Sequence, residues 1–170
     1  MIHPDRIGHV VIKVRDIERS RKFYRDVMGL QLMMELPRPK MAFFASNGRD
    51  HHEIACMEVG KDAKAPEWHQ VGLVHIAFRL KDEEELRSAF KVLKDNDVPI
   101  SFTVDHGITK SVYFSDPDGN QLEVYCDVPP EQRPKAARDY MGMERLDFAP
   151  DDPGLADVIK SMGIGSARQA

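Results

Sequence analysis

Ile7-Gly8-His9-Val10-Val11-Ile12-Lys13-Val14-Arg15-Asp16 returns, with most letters changed, as Leu73-Val74-His75-Ile76-Ala77-Phe78-Arg79-Leu80-Lys81-Asp82. The offset is 66 positions throughout, pairing His9 with His75, Ile12 with Phe78, Asp16 with Asp82 and, further on, Tyr24 with Phe90. Self-similarity at a fixed offset marks one supersecondary unit used twice. Each copy opens with a strand, because Val10, Ile12 and Val14, like Ile76, Phe78 and Leu80, alternate onto one apolar face. Asp16 and Asp82 fall where a side-chain oxygen can accept the first free N–H groups of a helix. The first helix is expected to run to about Met28 and to stop at Gly29, a residue that tolerates the left-handed turn ending many helices. The second is expected from Glu83 to about Lys94, with Leu86, Phe90 and Leu93 on one stripe.

Three strands follow each helix. In the first copy they are expected over Leu30–Leu36, Met41–Ala45 and His52–Val59, punctuated by Pro37-Arg38-Pro39 and Ser46-Asn47-Gly48. In the second they are expected over Ile100–Val104, Lys110–Ser115 and Gln121–Cys126, the last two joined by the turn Asp116-Pro117-Asp118-Gly119-Asn120. The chain therefore reads as α+β: two βαβββ modules, residues 6–59 and 71–127, forming a curved mixed sheet around a cavity within a domain of residues 1–128. Residues 60–70 read as a surface link. Residues 129–170 read as a mainly helical C-terminal extension that covers the cavity or makes a dimer contact, with 165–170 disordered.

Composition narrows the function classes. The 170 residues carry a net charge of −4, and their basic residues are scattered, which argues against a nucleic-acid partner. No apolar run nears the length of a bilayer span, so no membrane partner is expected. The opening Met-Ile-His-Pro-Asp has no signal-peptide pattern, and two cysteines, Cys56 and Cys126, do not make a disulfide framework. The expected compartment is the cytoplasm.

The seven histidines matter by position. A lone histidine on a strand is ordinarily a partly buried, hydrogen-bonded side chain, but His9 and His75 occupy one position in two copies. By alternation both lie opposite the Val10, Ile12 and Val14 face. A pseudo-two-fold arrangement would also bring together the last strands of the copies, one beginning at His52 and the other containing Glu123. A carboxylate between Leu122 and Val124 is costly to bury without a partner. Two imidazoles and one carboxylate suit Fe(II), and also Mn(II), Zn(II) or Ni(II). If Ser115 pairs with Gln121, Tyr113 sits opposite Glu123, where a phenol can donate a hydrogen bond to a ligand. His106, in a turn ahead of that hairpin, is a candidate proton carrier at the rim. His51, one residue out of phase with His52, is expected to face outward, and His3 and His69 read as terminal and linker residues. Met33, Phe43, Phe44, Trp68 and Phe102 are candidates for the cavity wall.

Gly8-His9-Val10, Leu73-Val74-His75-Ile76-Ala77-Phe78 and Asp116-Pro117-Asp118-Gly119-Asn120-Gln121-Leu122-Glu123-Val124-Tyr125 together resemble the vicinal oxygen chelate superfamily, over residues 6–127. Within it the chain is most similar to the type I extradiol ring-cleavage dioxygenases. The resemblance implies Fe(II) held by His9, His75 and Glu123, a small aromatic diol and dioxygen as substrates, and a homodimer. It implies that His52 assists oxygen activation and proton transfer, and that His106 and Tyr113 hydrogen-bond the substrate oxygens. Many extradiol enzymes carry four such modules, whereas this chain has two. Two-module relatives include glyoxalases, epimerases and fosfomycin-modifying transferases. An isomerase or epimerase would use a Glu or Gln as fourth ligand, and Glu53, beside His52, is expected to point the other way. A binding protein without catalysis is the remaining reading, and the presence of all three ligands argues against it.

Overall fold

The computed structural model describes residues 1–48, 50–65, 67, 69–135 and 142–162. The expectations for Trp68 and for residues 165–170 lie outside these. The chain divides into two compact units, one of Met1–Gly72 with Asp116–Gly119, the other of Leu73–Ser115 with Asn120 onward. Among the described residues no helix is long and apolar enough to cross a membrane.

The first unit contains β1 (Val10–Val14), α1 (Ile17–Lys22), β2 (Gln31–Pro37), β3 (Lys40–Ala45) and β4 (Ile54–Glu58). Its sheet has the order β1-β4-β3-β2, with β1 and β4 parallel and the other pairs antiparallel. The second unit contains β5 (Ile76–Arg79), α2 (Glu83–Asp95), β6 (Ile100–Asp105), β7 (Thr109–Ser115) and β8 (Gln121–Asp127). Its order is β5-β8-β7-β6, with β5 and β8 parallel. The α+β, two-module expectation is met, in the form of two four-stranded mixed sheets. Even the irregularities repeat. β2 bulges between Leu32 and Met34, and β6 between Ile100 and Phe102.

Both helices start as their caps dictate. Asp16 accepts hydrogen bonds from the N–H groups of Glu18 and Arg19 at 3.0 and 3.1 Å, and Asp82 accepts one from Glu85 at 3.0 Å. The first helix does not stay α to Met28. It widens into a π turn over Phe23–Val27 and ends at Gly29, whose φ of +69° only glycine adopts cheaply. The wider turn leaves both Phe23 and Tyr24 buried.

In the first unit Ile12, Val14, Ile54, Cys56 and Phe44 form the helix-side core, and the Tyr24 ring lies 5.6 Å from that of Phe44. Phe44 is fully buried there and contributes about 1.5–3 kcal/mol of hydrophobic stabilisation. It is therefore core, not cavity wall. Within this unit Tyr24 Oη donates to Asp116 Oδ2 at 3.0 Å, both groups being buried. The Asp118 carboxylate accepts from Arg15 and Arg19. In the second unit Val112, Phe114, Leu122, Val124 and Cys126 make the corresponding layer, with Leu86 and Leu93 of α2.

Two local expectations are corrected. β4 starts at Ile54, so His52 stands in the loop before the strand instead of opening it. Glu53 draws that loop in, its carboxylate accepting from Ser46 N and Ser46 Oγ and its backbone bonding Phe44 and Val10. The C-terminal extension is only slightly helical among the described residues. It has one short turn at Pro130–Gln132 and α3 (Leu155–Ser161), and residues 142–154 run irregularly along β6.

Candidate functional site

On the second sheet, strand register builds a row. Ala77 of β5, Glu123 of β8 and Tyr113 of β7 are successive neighbours, and Phe102 of β6 follows Tyr113. Leu122 and Val124 face the core, so the intervening Glu123 must point to the sheet's far face. His75, one residue before β5, shares the parity of Ala77 and reaches the same place. Its Nε2 lies 3.1 Å from Glu123 Oε2. The Glu123 side chain is only 9% exposed. The Tyr113 ring stands edge-on to His75 at 5.4 Å and stacks on Phe102 at 4.2 Å. Burial first, then the Glu123 charge, push the Tyr113 phenol above its ordinary pKa, so it keeps its proton at neutral pH. Ser111, two residues back on the same face, is fully buried, and its hydroxyl acts on the Tyr113 phenol against that rise. The pairing of Ser115 with Gln121 and of Tyr113 with Glu123 is the one expected from the hairpin turn.

In the first unit three imidazoles gather. The His9 ring lies 4.4 Å from that of His52 and 5.9 Å from that of His51. His52 also packs edge-on against Phe43 at 5.0 Å. His51 Nδ1 and His52 Nδ1 are 2.6 Å apart, so one must carry the proton that the other accepts. His51 is exposed, as expected for an outward-facing residue, and its ring nitrogen still meets that of His52. Both precede the strand, where no ladder fixes their faces, so the two rings can touch although only His52 is half-buried. Burial, then the neighbouring His51 and His9, lower the pKa of His52, favouring its neutral form.

His106 sits in the three-residue turn between β6 and β7. Gly107 makes that turn possible with a φ of +76°, and the His106 N–H bonds Thr109 O at 2.9 Å. Its Nδ1 lies 2.9 Å from the carbonyl of Gly142.

Among the described residues no three His, Cys, Asp or Glu side chains stand close enough together to hold a metal. His75 and Glu123 form a pair in the second unit, and His9 belongs to the first. The chemistry of the pair still suits a cation. Glu123 is a buried carboxylate with an imidazole nitrogen beside it and, among the described residues, no Lys or Arg ion pair. A divalent metal would give that carboxylate a counter-charge, with the His75 imidazole as a second donor. Four participants were not legible beforehand: the His51 contact to His52, the Glu53 lock on the loop, the Ser111 hydroxyl and the Gly142 carbonyl. Only the first had a sequence signal, the adjacency of two histidines.

A model of the Glyoxalase/Bleomycin resistance protein/Dioxygenase superfamily matches residues 6–124. Catechol-2,3-dioxygenase of Bacillus subtilis is 35% identical over 130 residues, which cover 75% of this chain and 44% of that protein. The chain thus spans less than half the length of that relative. Biphenyl-2,3-diol 1,2-dioxygenase 3 of Rhodococcus globerulus is 30% identical over 139 residues, 80% of this chain and 70% of the relative. Metallothiol transferase FosB of Staphylococcus saprophyticus is 32% identical over 121 residues, 70% of this chain and 75% of the relative. The superfamily match spans both repeats and includes His9, His75, Tyr113 and Glu123, so the chain belongs to the Glyoxalase/Bleomycin resistance protein/Dioxygenase superfamily.

Proposed function

We propose that the protein is a metal-dependent extradiol dioxygenase that opens a catechol-type ring with dioxygen. The carrying observation is the polar row of the second sheet, where buried Glu123 has His75 Nε2 at 3.1 Å and a protonated phenol across the ladder. In this reading His9, His75 and Glu123 hold one divalent metal, Fe(II) first, with Mn(II), Ni(II) and Zn(II) as alternatives. When bound there, Fe(II) would supply a Lewis-acidic, redox-active centre for a diol and dioxygen.

The chain's own groups do the rest. Tyr113 keeps its proton and donates a hydrogen bond to a substrate oxygen. Phe102, stacked on Tyr113, offers a flat apolar wall to an aromatic ring. His52, held neutral, accepts a proton given up by the diol, and His106 hydrogen-bonds a substrate oxygen. Two of the relatives, a catechol and a biphenyl-diol dioxygenase, support this reading by their names.

Thiol transfer is the second reading, supported by the FosB relative. An isomerase or epimerase finds less support, because the Glu53 carboxylate is committed to Ser46. The test is anaerobic loading with Fe(II), then air and a panel of catechols. A yellow ring-opened product, abolished in Glu123→Ala, is expected. His52→Ala is expected to keep its metal and lose about 10²–10⁴ in kcat. Iron bound with no colour and no oxygen uptake across the panel would overturn the assignment.

A further inference from the structure

Residues 142–154 lie beyond the superfamily match, yet they are bonded to the free edge of β6. Asp105 N donates to Glu144 O at 2.7 Å, and Thr103 N donates to Pro153 O at 2.8 Å. Leu146 and Ala149 are buried, at 2% and 1% exposure. The segment also clips onto α2. Asp147 pairs with Arg87 at 2.9 Å, the Arg87 guanidinium lies 4.4 Å over the Phe148 ring, and that ring meets Phe90 at 5.5 Å. Lys94 pairs with Asp152 at 3.0 Å.

One bond from this segment ends on a residue of the proposed chemistry. The Gly142 carbonyl lies 2.9 Å from His106 Nδ1, and the Gly142 N–H returns to the His106 carbonyl at 3.4 Å. A carbonyl can only accept, so Nδ1 carries the proton, and a neutral imidazole then presents Nε2 as an acceptor. The β6–β7 turn fixes the His106 backbone through Thr109 and Gly107. The ring itself is held, among the described residues, by Gly142.

We infer that residues 142–154 are a strap that positions His106, the Gly142 carbonyl selecting the Nδ1–H tautomer and turning Nε2 toward the substrate. The inference rests on the role proposed above for His106. By it the C-terminal extension gains a purpose, since a stretch outside the shared repeat sets the hydrogen-bonding sense of a residue inside it. Gly142 is then a positioning residue, acting through its backbone.

The full chain serves for the test. Imidazole ¹⁵N NMR of histidine-labelled protein is expected to show His106 with a protonated Nδ1 and a bare Nε2. Leu146→Ala, which loosens the strap from within, and Asp147→Ala, which removes its clasp on α2 from the surface, are expected to shift His106 toward the Nε2–H form. Both should lower kcat for ring cleavage by about 10- to 100-fold for Leu146→Ala, and less for Asp147→Ala, with little change in KM. In a His106→Phe background neither should lower kcat further. If Leu146→Ala fails to fold, Asp147→Ala carries the same comparison. An Nε2–H tautomer in the unaltered protein, or equal losses with and without His106, overturns the strap. Full activity in His106→Phe removes the reading of His106 itself, and the tautomer measurement separates that outcome from a failure of the strap.

Discussion

The two sheets have one strand order and one set of bulges, yet their equivalent rows carry opposite chemistry. On the second sheet the row across β6, β7, β8 and β5 is Phe102, Tyr113, Glu123 and Ala77. On the first, the row across β2, β3, β4 and β1 is Met34, Phe43, Ala55 and Val11. Ala55 stands where Glu123 stands, and Phe43 where Tyr113 stands. The carboxylate and the phenolic oxygen are the atoms the first sheet lacks. What both keep is a histidine one residue before the first strand, His9 and His75. The first unit gathers its other imidazoles, His51 and His52, on a loop instead of a ladder. The two units thus share backbone placement, while the carboxylate and the phenol of the row stand only on the second sheet.

Making the second row like the first should have the largest effect. Glu123→Ala removes a proposed ligand and is expected to weaken metal binding by at least about 100-fold, read by metal content after dialysis, with ring cleavage falling to background. The metal-free variant should melt no lower than the metal-free parent, because a buried carboxylate costs solvation. Unchanged metal content would break the comparison.

The reverse exchange is the next largest. Ala55 is fully buried, so Ala55→Glu places a carboxylate and too much volume in a packed layer, with at most the His9 imidazole beside it. A loss of about 3–5 kcal/mol in denaturant unfolding is expected. A fully stable Ala55→Glu protein would show that the first sheet tolerates what the second was built around.

A smaller effect is expected at the buried bond of the first unit. Tyr24→Phe keeps the ring but deletes the donor to Asp116, and a loss of about 1–3 kcal/mol is expected in the same measurement. Tyr24 titrates well above the ordinary phenol range, through burial first and Asp116 next, so this bond persists through mildly alkaline pH.

The smallest effect lies at acid pH. The Glu83 carboxyl is held below its ordinary pKa, first by the hydrogen bond from Lys110 and then, after the opposing effect of burial, by that from Arg87. A depressed carboxylate contributes stability that is present above its unfolded pKa and lost as pH falls through its folded one. Unfolding curves should therefore weaken on acidification below about pH 4.5, and Glu83→Gln should flatten that limb. A variant with the parent's acid limb would show that Glu83 does not supply it.

The repeat, the strands, both helix caps and the Tyr113–Glu123 register were legible in the sequence because short-range physics fixes each of them. Alternation sets a face, a carboxylate caps the next turn, and a tight turn sets the pairing of the strands it joins. His75 beside Glu123 follows from that register. The π turn at Phe23, the loop position of His52, the ring contact between His51 and His52 and the commitment of Glu53 to Ser46 were not legible. These sit where no ladder or helix repeat dictates direction, so packing and side-chain hydrogen bonds choose. The Gly142 carbonyl on His106 is the extreme case, for the two are 36 residues apart and one partner has no side chain. Local periodicity thus determined the framework and which side chains share a sheet face. Tertiary contact alone decided how the loops, the extension and the imidazole tautomers complete it, because a hydrogen bond between distant backbone and ring atoms leaves no pattern in the order of residues.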